Sequence, residues 1–233
     1  MDISEFDRFA DEYYQSHARN IQISGEDPEF FHEYKVADVA ATLSGVPAEA
    51  GRRILDFGTG IGNSVQYLRR YFPDAQLTAV DISARSLAVA RERFPDAADY
   101  QLISGVPIPL AGGSFDVVFT ACVFHHISWS EHEATLKDLH RLLAPGGRLF
   151  IFEHNPWNPL TRHAVKTCPF DCNARLISSR ILRRHVLKAG FVEASVRYRI
   201  FFPRFLAWFR RWEGLLAGVP LGAQYVLEAR RAA

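Results

Sequence analysis

Three glycines, Gly58, Gly60 and Gly62, crowd the turn that follows the apolar run Arg53-Ile54-Leu55-Asp56-Phe57. Glycine tolerates positive φ and lets a ligand approach the backbone closely. Residues 62–72 read as a helix, so its first free amides face whatever the turn holds, and a carboxylate or phosphate suits them. About twenty residues further on, a second apolar run ends in Asp81, whose carboxylate can accept hydrogen bonds from both hydroxyls of a ribose. A dinucleotide fingerprint needs glycine at the first, third and sixth positions of such a turn. Counted from Gly58, the sixth position is Asn63, so that fingerprint fails. Asp56 sits at the strand end, where it can hold a cationic amino group but would repel a pyrophosphate.

Further polar clusters lie downstream. Ala121-Cys122-Val123-Phe124-His125-His126-Ile127 follows a strongly apolar strand, and a histidine there can take a proton from a hydroxyl. The plainer reading is that one histidine packs or caps while the other is solvated. Cys122 reads as a small buried packing residue. Glu153-His154-Asn155-Pro156-Trp157-Asn158-Pro159 combines polar side chains, an aromatic and two prolines, as a stiff loop beside a site would. His154, Asn155 and Trp157 are its candidate substrate residues. Cys168 and Cys172, with His154, His163 and His185 in the neighbourhood, lack the second cysteine pair of a structural zinc site, and no metal is expected.

The elements that must position these groups follow a simple rhythm. After two apolar helical stretches before residue 50, strand and helix alternate. Strands are expected at 53–57, 76–80, 99–103, 115–120, 148–153, 191–200 and 223–229. Helices are expected at 62–72, after Ser83, at 131–143 and from Ser178 to Gly190. Ser83 and Ser178 are plausible N-caps and Gly190 a C-terminal glycine. Such alternation implies an α/β fold, a doubly wound and mainly parallel sheet whose ligands bind beyond the carboxyl ends of its strands.

Four ordered pieces carry a family resemblance: the Asp56–Ser64 loop, Leu77-Thr78-Ala79-Val80-Asp81-Ile82-Ser83, Ser114-Phe115-Asp116-Val117-Val118-Phe119-Thr120, and Leu142-Leu143-Ala144-Pro145-Gly146-Gly147-Arg148-Leu149. Together they resemble the class I S-adenosylmethionine-dependent methyltransferases over about residues 50–155. The resemblance implies a seven-stranded Rossmann-like sheet with its last strand antiparallel. It implies S-adenosyl-L-methionine as cofactor and S-adenosyl-L-homocysteine as product. Asp56, Gly58, Thr59 and Gly60 would surround the methionine part, Asp81 the ribose and Ile82 the adenine. Ser104, Gly105 and Ala121 complete the cofactor set, although Ser104 stands where many relatives carry an adenine-reading acid. Phe6–Tyr14 resembles an N-terminal cap, with Tyr14, or Tyr13, folding over the cofactor. The expected division is a helical cap at 1–50 and a cofactor-binding domain at 51–233, with 155–178 and 201–222 as substrate insertions. Methyl transfer from a sulfonium needs no acid for its neutral leaving group, so placing the nucleophile and excluding water carry most of the burden. His125 and His126 are the candidate catalytic residues. Residues 150–216 resemble uncharacterised methyltransferases of bacterial polysaccharide or secondary-metabolite biosynthesis. The expected acceptor is an oxygen, or a nitrogen or carbon, of a small or lipid-linked molecule. The competing classes are an RNA or protein methyltransferase, a cofactor-binding scaffold and a nicotinamide oxidoreductase.

Composition bounds the partners. The 233 residues hold 27 Lys and Arg against 26 Asp and Glu, which gives no general attraction to nucleic acid. Three cysteines suit a reducing cytoplasm, and the acidic start, Met1–Glu5, does not read as a secretory signal. No apolar run is long enough to span a membrane. The segment 201–212 carries six aromatics with Arg204, Arg210 and Arg211. It reads as a helix that packs on the domain or forms a homodimer contact, as a pocket for an apolar substrate, or as a membrane-surface element. A monomer and a homodimer are both compatible with this reading.

Overall fold

The computed structural model describes residues 25–46, 51–168, 171 and 173–233. The expected cap residues Tyr13 and Tyr14, and Cys172, lie outside these. Pro28 begins the first described helix, α1 (Pro28–Leu43), as a residue without an amide hydrogen can at no loss. Then come β1 (Arg53–Phe57), α2 (Val65–Tyr71), β2 (Gln76–Asp81), α3 (Ala84–Arg93), β3 (Asp99–Leu102) and β4 (Phe115–Ala121). The second half has α4 (His132–Leu142), β5 (Leu143–His154), α5 (Pro159–Thr167), α6 (Ser179–Lys188), β6 (Glu193–Arg199), α7 (Glu213–Leu216) and β7 (Gln224–Arg230).

Seven strands form one sheet in the order β3-β2-β1-β4-β5-β7-β6. All pairings are parallel except those of β7, which runs antiparallel to both β5 and β6. The chain leaves β3 at one edge and re-enters beside β1, so the switch point lies between the carboxyl ends of β1 and β4.

Alternation along the strands builds two core layers. Ile54, Leu77, Ala79, Phe119, Phe150 and Phe152 face α1, α2 and α3 through Val36, Val39, Leu68, Leu87 and Ala90. Leu55, Val80, Val118, Leu149, Ile151 and Leu227 face α4 and α6 through Leu136, Leu139, Leu182 and Val186. Phe150 is fully buried on a central strand, between Phe119 and Glu228. Phe150→Ala is expected to destabilise the protein by about 3–5 kcal/mol, as a large cavity does. Denaturant unfolding measures this, and a loss below about 1 kcal/mol would show a core able to close over the gap.

Two expectations need correction. Pro145-Gly146-Gly147 does not precede the fifth strand but lies inside β5, looped out where Phe115 pairs with Leu143 and Val117 already pairs with Arg148. The segment 204–212 is a kinked 3₁₀ helix rather than a regular α-helix; among the described residues none of its side chains is buried, and it meets the domain through Arg204 on the Gly25 carbonyl and Arg210 on Glu26 and over the Phe30 ring. Phe205 is 78% exposed and Trp208 57%, and its aromatics stack mainly on one another. Three arginines of the last third are held in ion pairs: Arg197 with Asp38 and Glu228, Arg199 with Asp38 and Arg210 with Glu26. Among the described residues no helix is long and apolar enough to cross a membrane.

Candidate active site at the carboxyl ends of β1, β2, β4 and β5

The turn after β1 is built by its glycines. Gly58 has φ +76° and Gly60 φ +54°. Gly58 and Thr59 donate amides to the Val80 carbonyl, 2.9 and 3.1 Å, which ties the turn to β2. The Asp81 carboxylate accepts the Gly60 amide at 2.8 Å on one oxygen and the Ser83 amide at 2.9 Å on the other. Ser83 caps α3 by accepting the Ser86 amide.

Asp56 is 2% exposed and accepts the Thr59 hydroxyl at 2.7 Å. Burial pushes its pKa up to about 7, the Asp81 charge adds to this and Thr59 opposes it. Among the described residues, its chain neighbours apart, no atom lies within 4 Å of the position a side chain at Gly60 would take, whereas at Gly58 it would meet Val123 at 2.4 Å. A buried carboxylate in need of a cation, open space before a bare backbone and an acid on the next strand fit the amino-acid end and ribose of S-adenosylmethionine. Ile82 is half-buried against the core. Ser104, exposed, and Gly105 follow Ile103, whose amide donates to the Asp81 carbonyl, so this turn borders the same crevice. Ala121 ends β4 two residues beyond Phe119, the register partner of Asp56.

Across the switch point lies a second polar group. Parallel pairing of Ala121 with Phe152 sets the segments after β4 and β5 side by side. Glu153 is fully buried; it accepts the Phe124 amide at 2.7 Å and the His125 Nδ1 proton at 2.6 Å. His125 Nε2 lies 3.4 Å from Asp171 Oδ1, and His126 Nε2 lies 3.5 Å from the same oxygen. Burial works against a charged His125, but Glu153 and Asp171 overcome it and hold the imidazole protonated well above its ordinary range. Burial, then the His125 charge, pushes His126 down to about 3.

His154 sits with its ring 5.2 Å from that of His125 and its Nδ1 3.3 Å from the Gln224 amide. Cys122, expected as plain packing, instead meets Lys35 from α1 at 3.7 Å. Burial would raise the Cys122 thiol, but Lys35 and His154 bring it down to about 7. Tyr34 donates its hydroxyl to Gln224. Asn155 is buried, with its amide donated to the Pro220 and Gly222 carbonyls and its oxygen accepting the Trp157 amide. Trp157 is 68% exposed. Sequence reasoning thus named His125, His126 and His154 but missed Lys35, Tyr34 and Asp171 as their company. Glu153 was quoted only as the start of the Glu153–Pro159 run and not as a site residue; it lies near the end of β5, the strand parallel to β4, and Asp171 carried no signal.

Residues 55–151 match the family described as methyltransferase domain. A trans-aconitate 2-methyltransferase of Paracidovorax citrulli is 33% identical over 121 residues, covering 52% of this chain and 46% of that protein. A demethylmenaquinone methyltransferase of Thermus thermophilus is 34% identical over 112 residues, 46% of this chain and 50% of that protein. The chain spans about half the length of these curated relatives. Among solved structures, an S-adenosylmethionine-dependent methyltransferase of Thermotoga maritima superposes with a TM-score of 0.68 at 21% identity, over 98% of this chain and 99% of that one. Haemonchus contortus phosphoethanolamine N-methyltransferase 2, in complex with S-adenosyl-L-methionine, gives 0.61 at 23% identity, over 84% of this chain and 52% of that one. Sheet order, glycine turn and sequence match converge: over residues 55–151 this chain carries a methyltransferase domain of the class I S-adenosylmethionine-dependent family.

Proposed function

We propose that this chain transfers a methyl group from S-adenosylmethionine to an oxygen of a small or lipid-linked metabolite. The observation that carries the reading is the crevice at the switch point, where Asp56 and Asp81 flank open space before Gly60. Asp56, Gly58, Thr59 and Gly60 hold the amino-acid end of the cofactor and Asp81 its ribose. Ile82, Ser104, Gly105 and Ala121 line the remainder. Bound there, the cofactor supplies an electrophilic methyl; the chain supplies position and exclusion of water. His125 and His126 stand on the acceptor side, with His154 behind them. Neither of the first two is tuned near neutrality, so as a lone base each is poorly matched to removing a hydroxyl proton.

Relatives named for trans-aconitate and demethylmenaquinone support a small-molecule acceptor over RNA or protein. Polysaccharide or secondary-metabolite biosynthesis is the context suggested by the Glu153–Pro159 run. The exposed aromatics and arginines of 201–212 suit an acceptor held at a membrane surface. A cytoplasmic setting belongs to the same proposal, since Cys122 and Cys168 are free thiols. The test is methyl transfer from labelled cofactor to lysate fractions sorted into small molecules, lipids, RNA and protein. Label in the first two fractions is expected; label confined to RNA or protein overturns the acceptor reading.

Asp81→Ala is expected to weaken S-adenosylhomocysteine binding by about 1–3 kcal/mol, as loss of a charged hydrogen-bond acceptor does. Calorimetric titration measures it, and an unchanged affinity in the folded variant removes Asp81 from the site.

A further inference from the structure

We propose that His125, His126 and Asp171 form a binding site for a divalent first-row transition metal. Their ligand atoms, two imidazole nitrogens and a carboxylate oxygen, lie within 4.8 Å of one another. The two nitrogen–oxygen edges measure 3.4 and 3.5 Å. Atoms bound tetrahedrally to zinc at about 2.0–2.1 Å sit roughly 3.3 Å apart, so both edges already have the length that a shared ion imposes.

A second observation points to a ligand independently. His125 is 1% exposed, and its Nε2 makes no hydrogen bond among the described residues. Its Nδ1 is committed to Glu153 at 2.6 Å. If His125 is neutral, Nε2 therefore presents a lone pair to a carboxylate oxygen 3.4 Å away. If it is protonated, the Nε2 proton has no aligned acceptor. A cation between the two groups resolves either case, taking the Nε2 lone pair directly or, from the protonated form, displacing the Nε2 proton to solvent. Glu153 then plays the part of the carboxylate that orients a metal-bound histidine from behind and raises its basicity. The backbone holds the set together as well, because the Arg175 amide donates to the His125 carbonyl at 2.8 Å and anchors the chain just past Asp171.

Two histidines and one carboxylate leave coordination positions for water or an oxygen of the acceptor, the composition of catalytic rather than structural sites. Placing the acceptor oxygen on the ion rests on the proposed methyl transfer; metal binding itself does not.

The test uses the full chain, stripped by dialysis against a chelator and titrated with Co(II). One Co(II) per chain is expected, with visible absorption bands of a low-coordinate site that Zn(II) abolishes by competition. His126→Gln and Asp171→Asn should each weaken Co(II) binding by at least about tenfold. A thermal unfolding transition confirms that each variant is folded, and His163→Gln serves as the control that should bind as the parent does. Absence of the bands at stoichiometric Co(II), or bands that persist in both folded site variants, overturns the proposal. A protein that binds Co(II) as described yet transfers no methyl group contradicts the proposed activity and leaves the metal site standing.

Discussion

Asp56→Asn is expected to stabilise the ligand-free protein at pH 8 while removing most of its affinity for the cofactor. The Asp56 carboxyl is buried, and its pKa is raised from 3.8 to about 7. A group whose folded pKa exceeds its unfolded value disfavours folding once ionised. The penalty is absent at pH values below the unfolded pKa, grows as the pH rises towards 7 and is complete above it. Three units correspond to about 4 kcal/mol at pH 8. Asn keeps the shape and can still accept from Thr59 but carries no charge to bury. The midpoint of thermal unfolding should therefore rise on the order of 10 °C at pH 8. The gain should shrink steadily as the pH falls towards 4. In the parent protein an ammonium ligand relieves the same penalty, so S-adenosylhomocysteine should stabilise the parent far more than the variant. Unfolding scans at pH 6 and 8, with and without S-adenosylhomocysteine, check both halves. A variant that is less stable at both values, or that gains as much from the ligand as the parent, contradicts the assignment of Asp56 as an ammonium site.

The second large effect separates two glycines of one turn. At Gly60 a side chain would enter open space, with φ +54°. The left-handed backbone costs an L-residue only about 1–2 kcal/mol. Gly60→Val should thus fold, yet fill the volume that the cofactor needs. At least a tenfold loss of S-adenosylhomocysteine affinity is expected, since about 1.4 kcal/mol suffices for it. At Gly58 the added Cβ would stand 2.4 Å from Val123 Cγ2, with φ +76°. Val123 leads directly into the Phe124–His126 turn, so there the same substitution should damage the fold itself. Unfolding and titration of the two variants side by side decide the matter. If Gly60→Val binds as the parent does, the open space before it is not the cofactor's.

The sheet was legible chiefly because its central strands β1, β2, β4 and β5 are apolar runs, whereas β3 and the edge strand β6 are polar. Expected strand limits at 53–57 and 115–120 fall within a residue of β1 and β4. The failures have local causes. Pro145-Gly146-Gly147 carries the chemistry of a turn, and the chain spends it on a bulge inside β5 because Leu143 already pairs with Phe115. The 201–212 run has the spacing of an amphipathic helix, but over 204–212 it winds as a kinked 3₁₀ helix.

The site was legible in part for the same reason. Asp56, the glycines and Asp81 are near neighbours across two adjacent strands, and motif spacing encodes such proximity. The histidine cluster is assembled by groups far apart in sequence. Lys35 reads as one charge on an otherwise amphipathic helix, yet it is 4% exposed beside Cys122. Asp171 lies in a run whose cysteines drew attention away from its carboxylate. Periodicity reports which face is buried; it does not report which polar side chains from separate loops meet.

Titration calorimetry of the parent protein, first with S-adenosylhomocysteine and then with NAD, most directly examines whether the crevice beside β1 is built for a sulfonium nucleotide. Saturable one-to-one binding of the former and no heat from the latter is the predicted result. Binding of NAD with none of S-adenosylhomocysteine would contradict it.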